Sequence, residues 1–535
     1  MNRPRNRRTC RPSWTCSGTA SSRRALPRNS TALAPAPLVR RPVQARFPFR
    51  RVAPATAFFA GLILLGGCTT LRPARESASP PAAQPVTWRQ VSLGLCEDYP
   101  EESRSLTKAR ADLAAARAAG ATVLRIAFGW DAMEPERGKF DWNFWDEFVA
   151  MATDEFGLRL IPYVCYTPRW AASDAGEDFW RSPPHDPEDF ARFVTALVGR
   201  YRDAIASWEL WNEPDNKAYW LGTPAQFAEL VRAGSRAVRA TDPRDVVVLG
   251  GIAGETDFLA QLFEQERIAP AVDVVNLHCY FETWHPDPIE ALPDYVARAK
   301  EILRESGENE PLWMAEFGYS SVNGRARVSE VYRAWFEGEH TDEAQANALA
   351  RKTMLSLATG EFELLAWYRI NDLSATQEVI GDDNNLHLGI RDVRGAPKPA
   401  FVTLRQLTSW FAQPHARATT HVSHPPVNAT VNVHAFQLRD GRCVVAAWLG
   451  RAGAQPPAQP VADEREVSVR IELPGFSARK ASFTDALGQP LAPERVRWSE
   501  VDGAMVLHAT LISSAVIFCE LKADGEKTAR TLALP

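Results

Sequence analysis

The stretch Trp208-Glu209-Leu210-Trp211-Asn212-Glu213-Pro214 decides the fold, because a short apolar strand ends there in an acidic residue. Its apolar run at 206–211 is one of eight that are separated by amphipathic helical stretches. The other seven lie at residues 91–96, 122–127, 158–164, 246–250, 272–277, 312–315 and 364–368. Asp186-Pro187 and Thr223-Pro224 each place a capping side chain before a proline at the first helical position. Eight strands that alternate with helices predict an α/β fold, the (β/α)8 TIM barrel.

The C-terminal part of the chain has a different periodicity. After His415 apolar and polar residues alternate, as in the VSVRIEL stretch at 467–473, and turn dipeptides occur at 440–441 and 502–503. This pattern predicts a β-sandwich over residues 415–525, after a barrel over 88–414 and before a tail at 526–535. We expect the sandwich to brace the barrel rather than to bind glycan.

The N-terminal residues have the features of a targeting segment. Residues 1–67 carry 13 Arg and no Asp, Glu or Lys, and their apolar run at 57–65 is too short to span a bilayer. The run ends in Leu65-Gly66-Gly67-Cys68, which resembles the bacterial lipobox and implies a lipid on Cys68. Residues 68–87, rich in Pro and Ala, then form a tether. Either this pre-sequence is extended or the start codon lies too far upstream.

The charge of the remaining chain limits its partners. Of 61 basic residues, 48 lie outside the pre-sequence, against 65 acidic ones, which leaves a net charge of −17. Nucleic acid is therefore excluded as a partner, and strongly anionic polysaccharides are disfavoured unless a local basic cleft overrides the average. Nothing in the sequence specifies an oligomeric state.

The cysteines and histidines show no metal-ligand spacing, so we expect no metal and no cofactor. Cys96, Cys165 and Cys279 lie near predicted strand ends, where buried packing is expected. Cys443 and Cys519 could pair in the sandwich, but five cysteines after Cys68 cannot form a complete set of disulfides.

Two glutamates occupy the positions that carry chemistry in a barrel. Glu213 follows the fourth predicted strand, and Glu316 ends the seventh in Leu312-Trp313-Met314-Ala315-Glu316. Barrel enzymes place catalytic groups at the C-terminal ends of their strands. Paired carboxyl groups are what glycosidic bond cleavage needs, one to protonate the leaving oxygen and one to attack the anomeric carbon.

This pair of motifs resembles the large clan of retaining glycoside hydrolases with (β/α)8 barrels, over about residues 90–410. The resemblance implies that Glu213 is the acid/base and Glu316 the nucleophile, with carboxyl groups about 5–5.5 Å apart. It also implies that the charge of ionised Glu316 keeps Glu213 protonated near neutral pH. The expected substrate is a polysaccharide or oligosaccharide with β-glycosidic bonds.

Five further residues match the clan's pattern one by one. Arg125 is expected near the nucleophile, where its charge would hold that carboxylate ionised. Asn212 is expected to bind the 2-hydroxyl of the reacting sugar. His278 and Tyr280 match the histidine and tyrosine around the nucleophile, and Trp367 matches the aromatic floor of the subsite.

Further aromatic residues lie on or near the loops that follow strands, and each has an alternative role in plain packing. These candidate sugar platforms are Trp130, Tyr166, Trp170, Trp220 and Trp284.

Within the clan, Tyr166-Thr167-Pro168-Arg169-Trp170-Ala171 and the stretch at 208–214 resemble family 39, which contains β-xylosidases, α-L-iduronidases and exopolysaccharide hydrolases. Family 5 cellulases and mannanases are the nearest alternative, since the AEFG stretch at 315–318 fits either family. A transglycosylase, or a glycan-binding lipoprotein without turnover, would keep the same fold.

The expected location is the bacterial cell envelope. Thr69, which follows the lipidated cysteine, is not the Asp that commonly retains lipoproteins at the inner membrane. By that resemblance the protein is anchored to the outer membrane, periplasmic or surface-exposed, and contacts the membrane only through its lipid. The loop at 319–340 is expected to decide between exo and endo action.

Overall fold

A computed structural model describes residues 86–98, 104–322, 340–450 and 466–523, except for the single positions 286, 378, 381 and 428. The predicted pre-sequence at 1–67, the lipidation of Cys68, nearly all of the tether and the tail at 526–535 lie outside these residues, as does most of the 319–340 loop. Within the described part, no helix combines the length and the apolar character needed to cross a bilayer.

Eight parallel strands of the described residues form a barrel. They are β1 Ser92–Glu97, β2 Val123–Gly129, β3 Arg159–Cys165, β4 Ser207–Asn212, β5 Val246–Gly251, β6 Val275–Cys279, β7 Leu312–Phe317 and β8 Phe362–Tyr368. Their order in the sheet is β5-β4-β3-β2-β1-β8-β7-β6. Parallel bridges from Val248 to Val274 and from Ile252 to Leu277 join the two edges.

The α-helices of the described residues surround this barrel. They are α1 Leu106–Ala118, α2 Trp130–Met133, α3 Asn143–Ala150, α4 Pro187–Tyr201, α5 Pro224–Thr241, α6 Thr256–Ala260, α7 Leu292–Glu305, α8 Asp342–Thr359 and α9 Pro399–Phe411. The predicted caps are present: Asp186 accepts from the backbone N–H of Glu188, and Thr223 forms a capping box with Gln226. Gly360 ends α8 at a φ of 71°, which glycine adopts without a steric penalty.

The C-terminal domain consists of antiparallel strands in two sheets. Its strands are β9 His415–Arg417, β10 His421–Ser423, β11 Thr430–Leu438, β12 Arg442–Gly450, β13 Val467–Leu473, β14 Ala478–Asp485, β15 Val496–Val501, β16 Ala504–Leu511 and β17 Ile517–Ala523. One sheet has the order β10-β13-β16-β15 and the other β14-β17-β12-β11-β9. The structure therefore confirms the predicted barrel followed by a β-sandwich.

The five-stranded sheet packs on the barrel through apolar and polar contacts. Phe436, Trp448 and Phe518 belong to the same buried cluster as the barrel helices. The indole of Trp410 on α9 donates to Glu520 on β17 at 2.7 Å. Burial of such large aromatic side chains stabilises the contact between the domains.

The five described cysteines are all buried and free, including Cys443 and Cys519. The disulfide that the sequence left open is therefore not present in the structure.

Candidate active site

The C-terminal ends of the barrel strands surround a cavity of about 590 Å³. Acidic and aromatic side chains make up much of its lining: Asp98, Tyr163, Tyr166, Glu213, Asp215, Tyr219, Glu255, Tyr280, Trp284, Glu316 and Tyr368. The amide of Asn212 lines it as well. Lys217 also lines it, and the ammonium group of Lys217 donates to the Gly222 carbonyl at 3.0 Å.

Glu213 lies one residue beyond β4, with its carboxyl group at the cavity. Its φ of 42° is in the left-handed region, which is uncommon for a residue with a side chain and recurs at functional sites. Its Oε1 lies 3.0 Å from His278 Nδ1, and its Oε2 accepts from the Asn216 amide at 2.9 Å.

Glu316 lies on β7 and faces Glu213 across the cavity floor. Its Oε2 accepts from Arg125 at 2.6 Å, and its Oε1 accepts from the Tyr280 hydroxyl at 2.7 Å. Both donors stabilise the ionised carboxylate. His278 Nδ1 lies 3.9 Å from the same Oε1, so the imidazole lies between the two carboxyl groups.

Arg125 is fully buried beneath this pair, on the barrel side of the cavity floor. Its guanidinium group donates twice to Glu209 on β4, at 2.7 and 2.8 Å, and once to Asn212 Oδ1 at 2.7 Å. Glu209 is a residue that sequence reasoning missed. The signal was present, since Glu209 lies four residues before Glu213 and its side chain points into the barrel.

Burial dominates the electrostatics of both carboxyl groups. It raises the pKa of Glu213 from 4.5 to about 7, while the Asn216 hydrogen bond and the charge of Arg125 oppose the shift. The expectation that the charge of Glu316 would be the main cause is corrected accordingly. Burial also raises the pKa of Glu316, and Arg125 lowers it.

Burial lowers the pKa of His278 to about 4, so this histidine is neutral near pH 7. Tyr280 keeps its proton because burial and the adjacent Glu316 raise its pKa. Both side chains can therefore donate a hydrogen bond to a catalytic carboxylate.

The aromatic candidates divide into two groups. Tyr166 and Trp284 line the cavity. Trp367 does not, because side chains alternate along β8 and its indole packs outside the barrel, donating to Leu388 O at 3.3 Å. Its neighbour Tyr368 points to the cavity instead.

The other three tryptophans lie in packed surroundings outside the cavity lining. Trp130 is fully buried and stacks on Phe193, and Trp170 meets Trp130 edge-on. Trp220 is also fully buried and packs against Trp211. The structure places these three in the packing role that the sequence left open.

Asp98 is a second residue that the sequence analysis missed. It follows β1, and its carboxylate accepts hydrogen bonds from the hydroxyls of Tyr163 and, at 2.6 Å, of Tyr368. It lies beyond the predicted strand in a segment without a recognisable motif, so only the fold brings it to the cavity.

Among the described residues, one group of three potential ligand side chains lies close enough to share an ion: Glu213, His278 and Glu316. The guanidinium of Arg125, 2.6 Å from Glu316, already supplies the positive charge there and would repel a cation. This arrangement suits proton transfer, and the absence of a metal from the working enzyme stays a prediction.

Comparison of the sequence with known protein families identifies a family of glycoside hydrolases that this chain matches. Residues 81–351 match the family model described as cellulase (glycosyl hydrolase family 5). A stretch of 145 residues is 30% identical to the beta-galactosidase Bga of Halorubrum lacusprofundi, covering 23% of this chain and 20% of that protein. The chain thus spans about a fifth of that relative's length.

Two further similarities cover more of the chain. The mannan endo-1,4-beta-mannosidase 8 of Oryza sativa subsp. japonica is 25% identical over 298 residues, which are 43% of this chain and 77% of that protein. A family 39 glycoside hydrolase from Bacteroides cellulosilyticus WH2 has the same fold, with a TM-score of 0.60 and 19% identity over 81% of each chain.

Proposed function

Because the chain belongs to the cellulase family, glycosyl hydrolase family 5, we propose that it cleaves β-glycosidic bonds of an uncharged glycan by a retaining mechanism. The family match confirms the predicted glycosidase class. The observation that carries the mechanism is the spacing of the catalytic groups: one oxygen each of Glu213 and Glu316, and a ring nitrogen of His278, lie within 4.8 Å of one another. Carboxyl groups this close favour retention, since inverting enzymes need about 6.5–9.5 Å to admit a water.

The roles follow from the surroundings of each carboxyl group. Glu316, held by two donors, attacks the anomeric carbon and forms a covalent glycosyl intermediate. Glu213, whose pKa burial raises to about 7, gives its proton to the leaving oxygen. The resulting Glu213 carboxylate then takes a proton from water, which cleaves the intermediate and frees Glu316.

The charge of the cavity supports an uncharged sugar. Five carboxyl groups line it (Asp98, Glu213, Asp215, Glu255 and Glu316), while Lys217 is the cation beside them in the described lining. A uronic acid would meet like charge at this site. Asp98, oriented by two tyrosine hydroxyls, offers its remaining lone pairs to sugar hydroxyls.

The family match is to family 5, whereas the motifs at 166–171 and 208–214 resemble family 39. Within the clan we propose that the specificity is of the family 39 kind. The barrel with a trailing sandwich supports this choice, because that architecture is shared with the Bacteroides family 39 enzyme. Action on β-xylosides or an exopolysaccharide would follow, whereas a family 5 endoglucanase or mannanase would prefer cello- or manno-oligosaccharides.

The test is azide rescue with a panel of aryl β-glycosides and oligosaccharides. Glu213→Ala with azide is expected to give the β-glycosyl azide, and Glu316→Ala the α-azide. The best substrate of the wild type identifies the sugar. A wild type that binds one glycan tightly but turns over none of the panel would favour the glycan-binding alternative, and sugar transfer in place of hydrolysis would indicate a transglycosylase.

For the location, we propose a lipid anchor on Cys68 in the bacterial envelope, at the outer membrane. The support is the sequence pattern that ends at Cys68. In a bacterial host, labelled fatty acid is expected to be incorporated into the wild type but not into Cys68→Ser, which would leave the membrane fraction. Equal labelling of both proteins would contradict the anchor.

A further inference from the structure

Asn276 occupies an irregular point of the barrel directly beneath the catalytic pair. The β6–β7 register pairs Asn276 with Trp313 and His278 with Glu316, so β7 has one more residue than β6 between these pairs. At this irregularity the backbone N–H of Ala315 donates to Asn276 Oδ1 at 2.9 Å. The side chain of Asn276 is therefore fixed by the strand that carries Glu316.

The orientation of the Asn276 amide follows from its neighbours. Its Nδ2 donates to Glu209 Oε1 at 3.1 Å and lies 3.4 Å from His278 Nε2. A flipped amide would place its N–H groups against the Ala315 N–H and its carbonyl against the Glu209 carboxylate. Both contacts are repulsive, so the amide nitrogen faces the imidazole.

We infer that Asn276 is a positioning residue that selects the neutral tautomer of His278. Because Nε2 faces an N–H donor, it carries the lone pair, and the ring proton lies on Nδ1. That proton points to Glu213 Oε1 at 3.0 Å, with Glu316 Oε1 at 3.9 Å.

The tautomer decides where the acid proton of Glu213 can be, an argument that rests on the proposed function. With the proton on Nδ1, His278 donates to Oε1, so the proton of Glu213 is carried by Oε2 and is available to the leaving oxygen, while a lone pair of the same oxygen accepts from the Asn216 amide. With the opposite tautomer, Nδ1 would accept the Glu213 proton in a hydrogen bond. The acid would then be held away from the substrate.

Backbone packing holds the imidazole of His278 in place, and charged side chains from several strands surround it. A Cβ at Gly251 on β5 would lie 1.9 Å from His278 Nε2, so the imidazole packs directly on that backbone. The charged or titratable groups that act on the ring are Arg125 on β2, Glu209 on β4, Glu213 after β4 and Glu316 on β7. Beyond them, Tyr280 after β6 donates to Glu316, and the charge of Asp98 after β1 acts on both catalytic carboxyl groups. These charges affect uptake of a second proton, whereas the hydrogen bonds at each nitrogen select between the neutral tautomers.

The direct test is nitrogen NMR of the full chain labelled with ¹⁵N in its histidine rings, with His278→Gln used only to assign the signals. In the resting wild type, Nδ1 of His278 is expected to give the protonated signal and Nε2 the bare signal between about pH 6 and 9. The reverse assignment would overturn the inference. This measurement needs no substrate, so its failure is distinct from a failure to find turnover.

Kinetics of Asn276→Asp give the second readout. An acceptor at Nε2 reverses the tautomer, so kcat/KM is expected to fall about 10- to 100-fold for glycosides with poor leaving groups, which need the acid. For dinitrophenyl glycosides, which leave without protonation, the fall should stay within about threefold. Asn276→Leu removes the donor to Nε2 together with the hydrogen bonds to Glu209 and the Ala315 N–H, without adding an acceptor, and should lower kcat/KM for glycosides with poor leaving groups by less than Asn276→Asp. An equal loss on both kinds of substrate would indicate a merely structural role and contradict the inference.

Discussion

Two arginines are buried between pairs of glutamates, and only one of them serves the cavity. Arg125 is fully buried, and the side chain of Arg351 on α8 is 3% exposed. Each forms charge-assisted hydrogen bonds to both of its partners. We call Arg125, Glu209 and Glu316 the catalytic cluster, and Arg351, Glu282 and Glu290 the bracing cluster.

The clusters differ in what their carboxylates can reach. Glu316 lines the cavity, where a substrate can approach it. In the bracing cluster, Glu282 also accepts from the Ile289 backbone at 3.0 Å, and Glu290 from the Trp448 indole of the sandwich at 2.8 Å. Buried charge alone therefore does not mark a catalytic site, because a catalytic carboxylate must also be accessible to a substrate.

The largest expected effect separates the clusters by activity. Glu316→Gln is expected to lower kcat by roughly 10⁴-fold or more, because the nucleophile is removed while the shape is kept. Glu290→Gln, the same substitution in the bracing cluster, should leave kcat within about twofold per folded molecule. Steady-state kinetics on the best aryl glycoside measure kcat of both variants. Comparable losses of kcat would contradict the distinction between the catalytic and the bracing cluster.

Removing the arginine of the bracing cluster should lower the stability of the protein without lowering its activity per folded molecule. Arg351→Met leaves two buried carboxylates without their cation and is expected to lower the free energy of unfolding by about 3–5 kcal/mol. Arg125→Met should cost a similar amount and abolish turnover as well. Denaturant unfolding measures the stability of both variants, and their activity is measured at denaturant concentrations below the unfolding transition. A fully active Arg125→Met would contradict the role of that residue.

Backbone packing against His278 gives a smaller effect. Gly251→Ala is expected to lower kcat about 10- to 100-fold, because the new methyl group displaces the imidazole from Glu213. Gly199→Ala is the matched control, since its Cβ would lie 3.9 Å from the nearest side-chain atom, on Thr241. If both variants keep full activity, the position of the ring is not critical.

The smallest effect is a shift of the pH profile. With the pKa of Glu213 at about 7, kcat/KM should fall as pH rises through 7 and the acid loses its proton. The Asn216 hydrogen bond stabilises the ionised form of Glu213. Asn216→Ala should therefore shift this fall in kcat/KM, the alkaline limb of the pH profile, to higher pH by about one unit or less.

The control for this limb is Asp215, whose pKa burial also raises to about 7. Asp215→Asn removes a like charge that interacts with Glu213, so it should move the fall in kcat/KM slightly to lower pH, opposite to Asn216→Ala. A fall that disappears in Asp215→Asn and does not move in Asn216→Ala would assign the titration to Asp215 and contradict the role of Glu213.

The sequence allowed the barrel and the catalytic pair to be predicted because both depend on local patterns. Each strand is a short apolar run, and the ends of parallel strands meet at one edge, which brings Glu213 and Glu316 together without knowledge of packing. Arg125, His278 and Tyr280 could be placed near the pair because the resemblance to the clan implied it.

The remaining site residues depend on details that a pattern does not carry. Trp367 and Tyr368 are neighbours, and only the register of β8 decides which of them faces the cavity. Asn276 and Asp98 contribute through hydrogen bonds to residues distant in sequence. The buried surroundings that set the pKa of Glu213 likewise arise from the whole fold.

Trapping the intermediate tests the central claim most directly. The wild type would be incubated with the 2-deoxy-2-fluoro β-glycosyl fluoride of its best sugar, digested and mapped by mass spectrometry. The account predicts one fluoroglycosyl group on the peptide that contains Glu316, and none in Glu316→Gln. Label on Glu213, or an inverted product without any covalent intermediate, would contradict it.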